Sequence, residues 1–191
     1  MRCIDTAIPE VKILEPRLFN DARGYFCETY NKNSLAELGI KTEFVQDNES
    51  FSQYGVVRGL HYQKGEFAQA KLVRVLQGEV LDVAVDIRFG SPTFGQHVAV
   101  RLSGENHRQF FIPKGFAHGF AVLSRTALFA YKCDAFYAPN AEGSINAADP
   151  SISINWTVSP ESRIFSEKDL KAQSFEAYCQ SPDFVYGDTL C

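Results

Sequence analysis

The chain has 191 residues, of which 45% are hydrophobic and 22% are charged, a composition typical of a soluble globular protein with a sizeable core. Its formal net charge of −4 excludes the broad basic surface that nucleic-acid-binding proteins present. A phosphate-bearing ligand would therefore need a local cluster of cations, and we expect neither a nucleic-acid nor a membrane partner.

The cysteines and the N-terminal segment bear on the cellular compartment. No C-x-x-C pair occurs and the number of cysteines is odd, so neither a zinc site nor a complete disulfide framework is predicted. The five are Cys3, Cys27, Cys133, Cys179 and Cys191. The N-terminal segment is charged throughout, unlike a signal peptide, and no apolar run approaches the roughly 20 residues of a membrane helix. We expect a cytoplasmic protein with reduced thiols.

Segments with a period of two, separated by glycine, proline and asparagine, predict strands along most of the chain. The first covers residues 24–30, and a short helix capped by Asn33-Ser34 and ended by Gly39 follows it. The clearest pattern is residues 71–88, where alternate residues share a face on each side of a Gln77-Gly78 turn. Further strands are predicted at residues 95–102, 109–112, 118–123 and 127–133.

Ser166, three residues before Asp169, predicts a second capped helical turn near the end of the chain. Residues 175–191 carry no motif, and the aromatic residues there either pack over the barrel or form a subunit interface; they are Tyr178, Phe184 and Tyr186. Many short strands with few helices favour a mainly β fold, an antiparallel barrel or jelly roll with short peripheral helices. The lack of repeats and linkers predicts a single domain over residues 1–191.

Two of the four histidines stand in runs that indicate chemistry, whereas His97 and His107 are interpreted as surface or hydrogen-bonded residues. His61 lies in the run from Gly55 to Gln63, close to Arg58 and a little before Lys71. Arg58 and His61 would project from opposite faces of an ideal strand, so Gly59 is expected to mark a bulge that re-aims them. Amides and hydroxyls of residues 46–52 precede the run. The cluster indicates either a cationic cavity or a polar barrel rim with ion pairs.

His118 lies in a P-x-G-x-x-H pattern that is similar to the second motif of the cupin superfamily. A metal-binding cupin also needs an H-x-H pair and a glutamate, but Gln63 and Lys71 stand in those places. An ammonium repels a divalent cation and offers no lone pair. We therefore predict a cupin without a metal or another cofactor.

A lysine and histidines in an apolar barrel can stabilise an enolate oxygen without a Lewis acid. A histidine that titrates near neutrality can abstract the proton beside a ketone. Tyr131, a phenol that is protonated at neutral pH, stands on a strand expected near that of His118 and suits the role of proton donor on the opposite face. Its alternative interpretation is a core or interface tyrosine.

Six runs spread over residues 19–173 resemble the dTDP-4-dehydrorhamnose 3,5-epimerase family. RGLHYQ (residues 58–63) and IPKGFAHGF (112–120), in that order, are the most specific. RGLHYQ ends the run FVQDNESFSQYGVVRGLHYQ, IPKGFAHGF ends the run FIPKGFAHGF, and the other four runs are FNDARGYFCETY, AQAKLVRVLQGEVLDVAVDIRFGSPTFG, YKCDAFYAP and FSEKDLKAQ. The resemblance implies a cupin-type antiparallel jelly roll and a homodimer that exchanges N-terminal strands, about residues 11–30.

The resemblance also implies roles for individual residues. His61 is the general base and Asp169 orients it, Tyr131 is the general acid on the far face, and Lys71 and His118 hold the substrate and its enolate oxygen. The implied binding residues are Arg23 and Glu28, nucleotide contacts reached across the dimer, with Phe19 close by; Gln46, Asp47, Asn48 and Arg58, nucleotide and diphosphate contacts of the main subunit; Tyr137, which stacks on the base; and Glu142 and Lys168, which fall at further binding positions. The expected reaction converts dTDP-4-dehydro-6-deoxyglucose to dTDP-4-dehydro-L-rhamnose by proton abstraction and reprotonation.

Three alternatives stay open at this point. The first is an enzyme of the same family that inverts one carbon or acts on another nucleotide sugar. The second is a catalytically silent cupin that binds a nucleotide sugar or a partner, which the set of His61, Tyr131, Lys71 and Asp169 disfavours. The third is a metal-dependent cupin oxygenase, which Lys71 and Gln63 disfavour.

Overall fold

Two antiparallel sheets face each other in the computed structural model, which describes residues 1–188. The first has six strands in the order β1-β2-β10-β7-β12-β5, the second has five in the order β13-β6-β11-β8-β9, and β3 and β4 form a separate hairpin. The strands are β1 Arg2–Asp5, β2 Lys12–Glu15, β3 Leu18–Asp21, β4 Gly24–Cys27, β5 Gln46–Gln53, β6 Val57–Gln63, β7 Lys71–Gln77, β8 Glu79–Asp86, β9 His97–Ser103, β10 Gln109–Ile112, β11 Phe116–Val122, β12 Thr126–Cys133 and β13 Glu142–Ser144.

The α-helices are short and peripheral: α1 Lys32–Glu37, α2 Glu167–Leu170 and α3 Phe175–Gln180. No helix within residues 1–188 has the length and apolar character needed to cross a membrane. The mainly β jelly roll predicted from the sequence is confirmed, and the strand predicted at residues 109–112 matches β10 in both bounds.

The turn at Gly78 is confirmed, but it does not make a hairpin within one sheet. β7 belongs to the six-stranded sheet and β8 to the five-stranded sheet, so the turn carries the chain across the barrel. Gly78 has φ +83°, and a Cβ there would lie 2.1 Å from the carbonyl oxygen of Thr126. This position therefore accepts only glycine without a shift of the backbone.

The strands predicted at residues 95–102, 118–123 and 127–133 lie at 97–103, 116–122 and 126–133, and two further boundary predictions are wrong for identifiable reasons. The strand predicted to reach residue 30 ends at Cys27 because its partner β3 has only four residues, and Leu18 opposite Cys27 is the last pair. Helix α1 is capped by Asn31, whose side chain accepts hydrogen bonds from the backbone N–H groups of Asn33 and Ser34. Asn31 precedes the predicted cap and satisfies the free N–H groups of the first turn itself. The cap of α2 by Ser166 is confirmed.

The core has three parts: one between the sheets, one outside the five-stranded sheet, and a smaller one where Leu35 of α1 packs with Leu14, Leu72 and Phe111 of the six-stranded sheet. Valines and phenylalanines of both sheets fill the first, with Phe120 and Phe129 stacked at 4.3 Å. The C-terminal segment covers the outer face of the five-stranded sheet, where Trp156, Tyr178 and Phe184 are buried. The tail therefore packs over the barrel, the first of the two predicted alternatives, while Cys191 lies outside the described residues.

Arg88, just after β8, joins distant parts of the chain. Its guanidinium pairs with Asp86 at 2.7 Å and with Glu10 at 2.9 Å. It also lies over the rings of Phe116 and Tyr186, 4.5 and 5.2 Å from their centres. Residues from the N-terminal turn, the central strands and the tail thus meet at one side chain.

The bulge predicted at Gly59 is confirmed by the register of β6 against β11. His61 pairs with His118 and Arg58 with Phe120, so three steps on β6 match two on β11. The backbones approach so closely that a Cβ on Gly59 would lie 2.5 Å from the Cα of Gly119. This irregularity brings Arg58 and His61 to the same cavity.

Candidate active site

A cavity of about 150 Å³ lies between the two sheets and collects the residues singled out in the sequence. The five-stranded sheet contributes Arg58 and His61 from β6 and His118 and Phe120 from β11; the six-stranded sheet contributes Ser50 from β5, Lys71 from β7, and Phe129 and Tyr131 from β12. The cluster around His61 is therefore a cationic cavity and not only a polar rim.

His61 and Asp169 form a hydrogen-bonded dyad, although 108 positions separate them along the chain. The Nε2 atom of His61 lies 2.5 Å from Oδ1 of Asp169, whose other oxygen accepts from the Ser166 hydroxyl at 2.7 Å. Burial raises the pKa of Asp169, but the hydrogen bonds from His61 and Ser166 lower it more, so the pKa lies below its usual value. An ionised carboxylate fixes the imidazole and stabilises its protonated form, as a general base requires.

Lys71 is a buried cation whose head group is not paired. The residue is only 9% exposed, and burial lowers the pKa of its ammonium while Cys133, Asp82 and Glu142 oppose that shift at longer range. No salt bridge or hydrogen bond joins this ammonium to any residue within the described range 1–188. A buried ammonium without a partner is available to an anionic group of a ligand.

His118 has a partner that the sequence analysis did not identify. Its Nε2 atom lies 3.0 and 3.1 Å from the two carboxylate oxygens of Asp82, which is fully buried on β8. Burial lowers the pKa of His118, against the attraction of Asp82, and burial raises the pKa of Asp82. A carboxylate in the middle of the apolar run of residues 80–85 requires a buried partner, and that was the signal in the sequence.

Tyr131 faces the dyad from the opposite sheet. Its strand β12 lies in the six-stranded sheet, whereas β6, which carries His61, lies in the other. Burial raises the pKa of the Tyr131 phenol, and the charge of Arg58 opposes the shift only in part. Tyr131 therefore keeps its proton at neutral pH and can donate it. A ligand in the cavity would have a base on one side and an acid on the other.

The cavity continues toward a mouth of about 100 Å³ that shares His61, Lys71 and Tyr131 with it. Gln46, Asn48, Tyr137 and Glu142 line this mouth. The Tyr137 backbone N–H donates to the Gln46 side chain at 2.9 Å, and Lys168 pairs with Glu142. Arg58 is held by the Ser52 hydroxyl, which accepts from its Nε at 3.1 Å. These predicted binding residues thus lie together around the entrance.

Four of the predicted site residues are not brought to the cavity within one chain. Asp47 points to the outer face of its sheet, where it pairs with Lys132 at 2.7 Å. The other three belong to the β3–β4 hairpin or the residue after it and line neither the cavity nor its mouth: Phe19, Arg23 and Glu28. The contribution of Phe19, Arg23 and Glu28 to a site on a second copy of the chain stays a prediction.

The metal-ligand positions of a cupin have other contacts here. Gln63 is buried and donates to the carbonyl oxygens of Phe67 and Phe136, while its side-chain oxygen accepts from the backbone N–H of Ala138. It therefore holds the loop that carries Tyr137. In the described part of the chain, no three side chains of His, Cys, Asp or Glu are grouped so as to hold a metal ion.

Comparison with known proteins gives consistent results. A family model of dTDP-4-dehydrorhamnose 3,5-epimerase matches residues 5–177. The chain is 58% identical to dTDP-4-dehydrorhamnose 3,5-epimerase of Salmonella typhimurium over 160 residues, which are 83% of this chain and 87% of that protein.

Solved structures are similar over almost the whole chain. The crystal structure of RmlC from Legionella pneumophila, a dTDP-6-deoxy-D-glucose-3,5-epimerase in complex with dTDP-4-keto-L-rhamnose, is 53% identical, has a TM-score of 0.93, and aligns over 98% of this chain and 99% of that one. ChmJ from Streptomyces bikiniensis, a 3'-monoepimerase in complex with dTDP-quinovose, is 30% identical, has a TM-score of 0.88, and aligns over 95% and 91%.

Proposed function

Because this chain belongs to the dTDP-4-dehydrorhamnose 3,5-epimerase family and is an isomerase, we propose that it inverts carbons 3 and 5 of dTDP-4-dehydro-6-deoxyglucose to give dTDP-4-dehydro-L-rhamnose. The observation that carries the proposal is the geometry of the cavity. His61, on one sheet and hydrogen-bonded to Asp169 of α2, faces Tyr131 on the other sheet, and the ammonium of Lys71 lines the same cavity. No cofactor is needed, because the 4-ketone already makes the neighbouring C–H bonds acidic.

The first half of each inversion is removal of a proton. The imidazole of His61 takes the proton from the carbon beside the ketone, and the electrons of the C–H bond form a carbon–carbon double bond to C4. The charge moves to the ketone oxygen, which becomes an enolate. Asp169 stabilises the imidazolium that forms, and Lys71 stabilises the enolate oxygen through charge and hydrogen bonding.

The second half is return of a proton from the other face. The Tyr131 hydroxyl donates to the carbon, the enolate collapses to the ketone, and the phenolate and the imidazolium then exchange protons with solvent. His118, held by Asp82, contacts the substrate beside Lys71. General acid–base catalysis of this kind contributes about 10² to 10⁴-fold to a rate.

The nucleotide supplies the binding energy that holds the sugar in this geometry. We propose that Gln46, Asn48, Tyr137, Glu142 and Lys168 bind the nucleoside at the mouth and that Arg58 contributes contacts to the nucleotide and its diphosphate. A second copy of the chain contributes Phe19, Arg23 and Glu28, so the active protein is a homodimer. The exposed side chains of the β3–β4 hairpin support this assignment, since Phe26 is 69% exposed and the hairpin pairs with no other strand of the described residues.

Mixed dimers test the shared site. His61→Asn and Arg23→Ala should each have low activity alone. After the two are unfolded together and refolded, the hybrid dimers contain one intact site each, so activity should recover to about a quarter of the wild-type value. Light scattering should give the mass of a dimer. A fully active monomer, or the absence of any recovery, would contradict the shared site.

The reaction itself is tested by incubation with dTDP-4-dehydro-6-deoxyglucose in deuterated water. We expect one deuteron at carbon 3 and one at carbon 5 of an L-sugar product. Because ChmJ shares this fold and is a 3'-monoepimerase, the alternative is deuterium at one carbon only. A protein that incorporates no deuterium at either carbon would overturn the proposed function.

The roles of the two proton carriers separate in the same assay. His61→Asn should lose both exchange and product, since no enolate forms without the base. Tyr131→Phe should keep part of the exchange, because a proton can leave to His61 and return on the same face, but it should form no inverted product. His107→Asn, outside the cavity, is the control. Equal loss of exchange in both active-site variants would contradict the assignment of Tyr131 as donor only.

A further inference from the structure

The hydroxyl of Ser50 has no hydrogen-bond partner among residues 1–188. Among the side-chain nitrogen and oxygen atoms of residues 1–188 that have no contact with solvent, it is the one that lacks a partner. Buried polar groups in folded proteins almost always have a hydrogen-bond partner, so an exception needs an explanation. Ser50 lines the cavity that also holds His61, Lys71 and Tyr131.

The neighbours of Ser50 explain why no protein group reaches it. On β5, alternate side chains face the interior. Ser52 is bonded to Arg58, and the Asn48 side chain accepts from Gln46 at 3.0 Å. Across the strand pair Ser50 lies opposite Phe129, which stacks on Phe120. The phenyl rings offer neither an N–H or O–H donor nor an oxygen acceptor, so neither ring satisfies the hydroxyl.

We propose that Ser50 is a specificity-determining contact: rotation of its side chain turns the hydroxyl into the cavity that the residue lines, where it hydrogen-bonds an oxygen of the hexose part of the substrate. The inference rests on the proposed function, since the reacting carbons of the hexose must lie within reach of both His61 and Tyr131. Ser50 lines the same cavity as those two side chains, so it lies beside the hexose. A serine hydroxyl can both donate and accept, so it can pair with a sugar hydroxyl or with the ring oxygen. The nucleoside contacts, in contrast, lie at the mouth.

A contact of this kind has an unusual signature, because it separates binding from stability. Ser50→Ala removes a hydroxyl that the free protein leaves unsatisfied, so the melting temperature should stay the same or rise. The same change should weaken the binding of a dTDP-hexose by about 2- to 13-fold, the range for one uncharged hydrogen bond. A serine that served only the fold would show the opposite pattern.

Calorimetric titration with two probes tests the proposal: dTDP alone, and dTDP-quinovose, which carries a 6-deoxyhexose but no ketone to react. We expect Ser50→Ala to bind dTDP as the wild type does and dTDP-quinovose more weakly. Ser103→Ala is the matched control, since its hydroxyl lies on β9 and accepts from Asn106; it should bind both probes normally.

Three results would overturn the inference: equal affinity of Ser50→Ala and wild type for dTDP-quinovose, equal weakening of both probes, or a loss of binding that accompanies a lower melting temperature. Failure of the proposed function is distinguishable from these. In that case the wild type itself would bind neither probe and would incorporate no deuterium from solvent, whatever the Ser50 variant does.

Discussion

Replacing Lys71 by methionine should make the protein more stable and much less active. The ammonium is buried, has no ion pair among the described residues, and has a pKa lowered by burial, so the folded state bears an uncompensated desolvation cost. Methionine keeps an unbranched chain of similar length and removes the charge, which makes it close to a volume-conserving change. The protein tolerates the desolvation cost of the ammonium because the positive charge stabilises the enolate.

The size of both effects follows from the site. Replacement of a buried ion pair by well-packed apolar residues is neutral or stabilises proteins by roughly 1–4 kcal/mol, and the Lys71 ammonium lacks even the compensation of an ion pair among the described residues. For a chain of this length each kcal/mol moves the melting temperature by about 2–4 °C, so an increase of several degrees is expected. Loss of a group that stabilises a developing oxyanion costs about 10²–10³ in kcat.

Thermal melts and initial rates with dTDP-4-dehydro-6-deoxyglucose measure the two effects on the same preparations. Lys12→Met is the control, because Lys12 pairs with the exposed Asp5 and a surface pair contributes about 0–1 kcal/mol. It should change neither quantity appreciably. If Lys71→Met lowered the melting temperature along with activity, Lys71 would be a structural residue, and a kcat near that of the wild type would refute its role at the enolate.

Three further predictions follow. First, kcat should fall as pH rises through the pKa of Lys71, because the ammonium is the active form. Burial lowers that pKa, so the fall should come below the free-lysine value of about 10.4. Lys71→Arg should not show this fall in the pH–rate profile, and a fall at or above the free-lysine value would contradict the assignment. Between the two pKa values the unfolded chain binds more protons, so the Lys71 contribution to stability should rise with pH. Second, Gly59→Ala should destabilise the protein by about 2–5 kcal/mol, because the residue has φ +130° and its Cβ would meet the backbone of Gly119. An unchanged melting temperature would show that the bulge relaxes freely. Third, activity should survive dialysis against a chelator, and loss that iron or manganese restored would refute a metal-free mechanism.

The strands could be predicted from the sequence, but their assignment to sheets could not. Alternation of side chains fixes which residues share a face, and it gave β10 with both bounds correct. It carries no information on the hydrogen-bonded neighbour, so β7 and β8 looked like one hairpin although they belong to facing sheets. The end of β4 was missed for the same reason, since it depends on the length of its partner.

The site residues likewise fall into those that the sequence could identify and those that it could not. Arg58, His61 and Lys71 are near one another in the sequence, and a glycine between the first two signalled the bulge. Asp169 is more than a hundred positions away, and only the resemblance to a known family suggested its role. No role could be assigned to Asp82 or Ser50 from the sequence, because the importance of each depends on its surroundings in the fold. Asp82 is a carboxylate within an apolar run of β8 that pairs with His118, and Ser50 is a hydroxyl without a partner among the described residues.

The contacts of Arg88 have a consequence for how the molecule opens. One guanidinium binds Glu10 in the N-terminal turn and lies over Tyr186 in the tail. Neither segment can therefore leave the barrel without disturbing the anchor of the other. Partial unfolding of the two should occur as one cooperative event, with similar hydrogen-exchange protection at both places, even though nearly the whole length of the chain separates them.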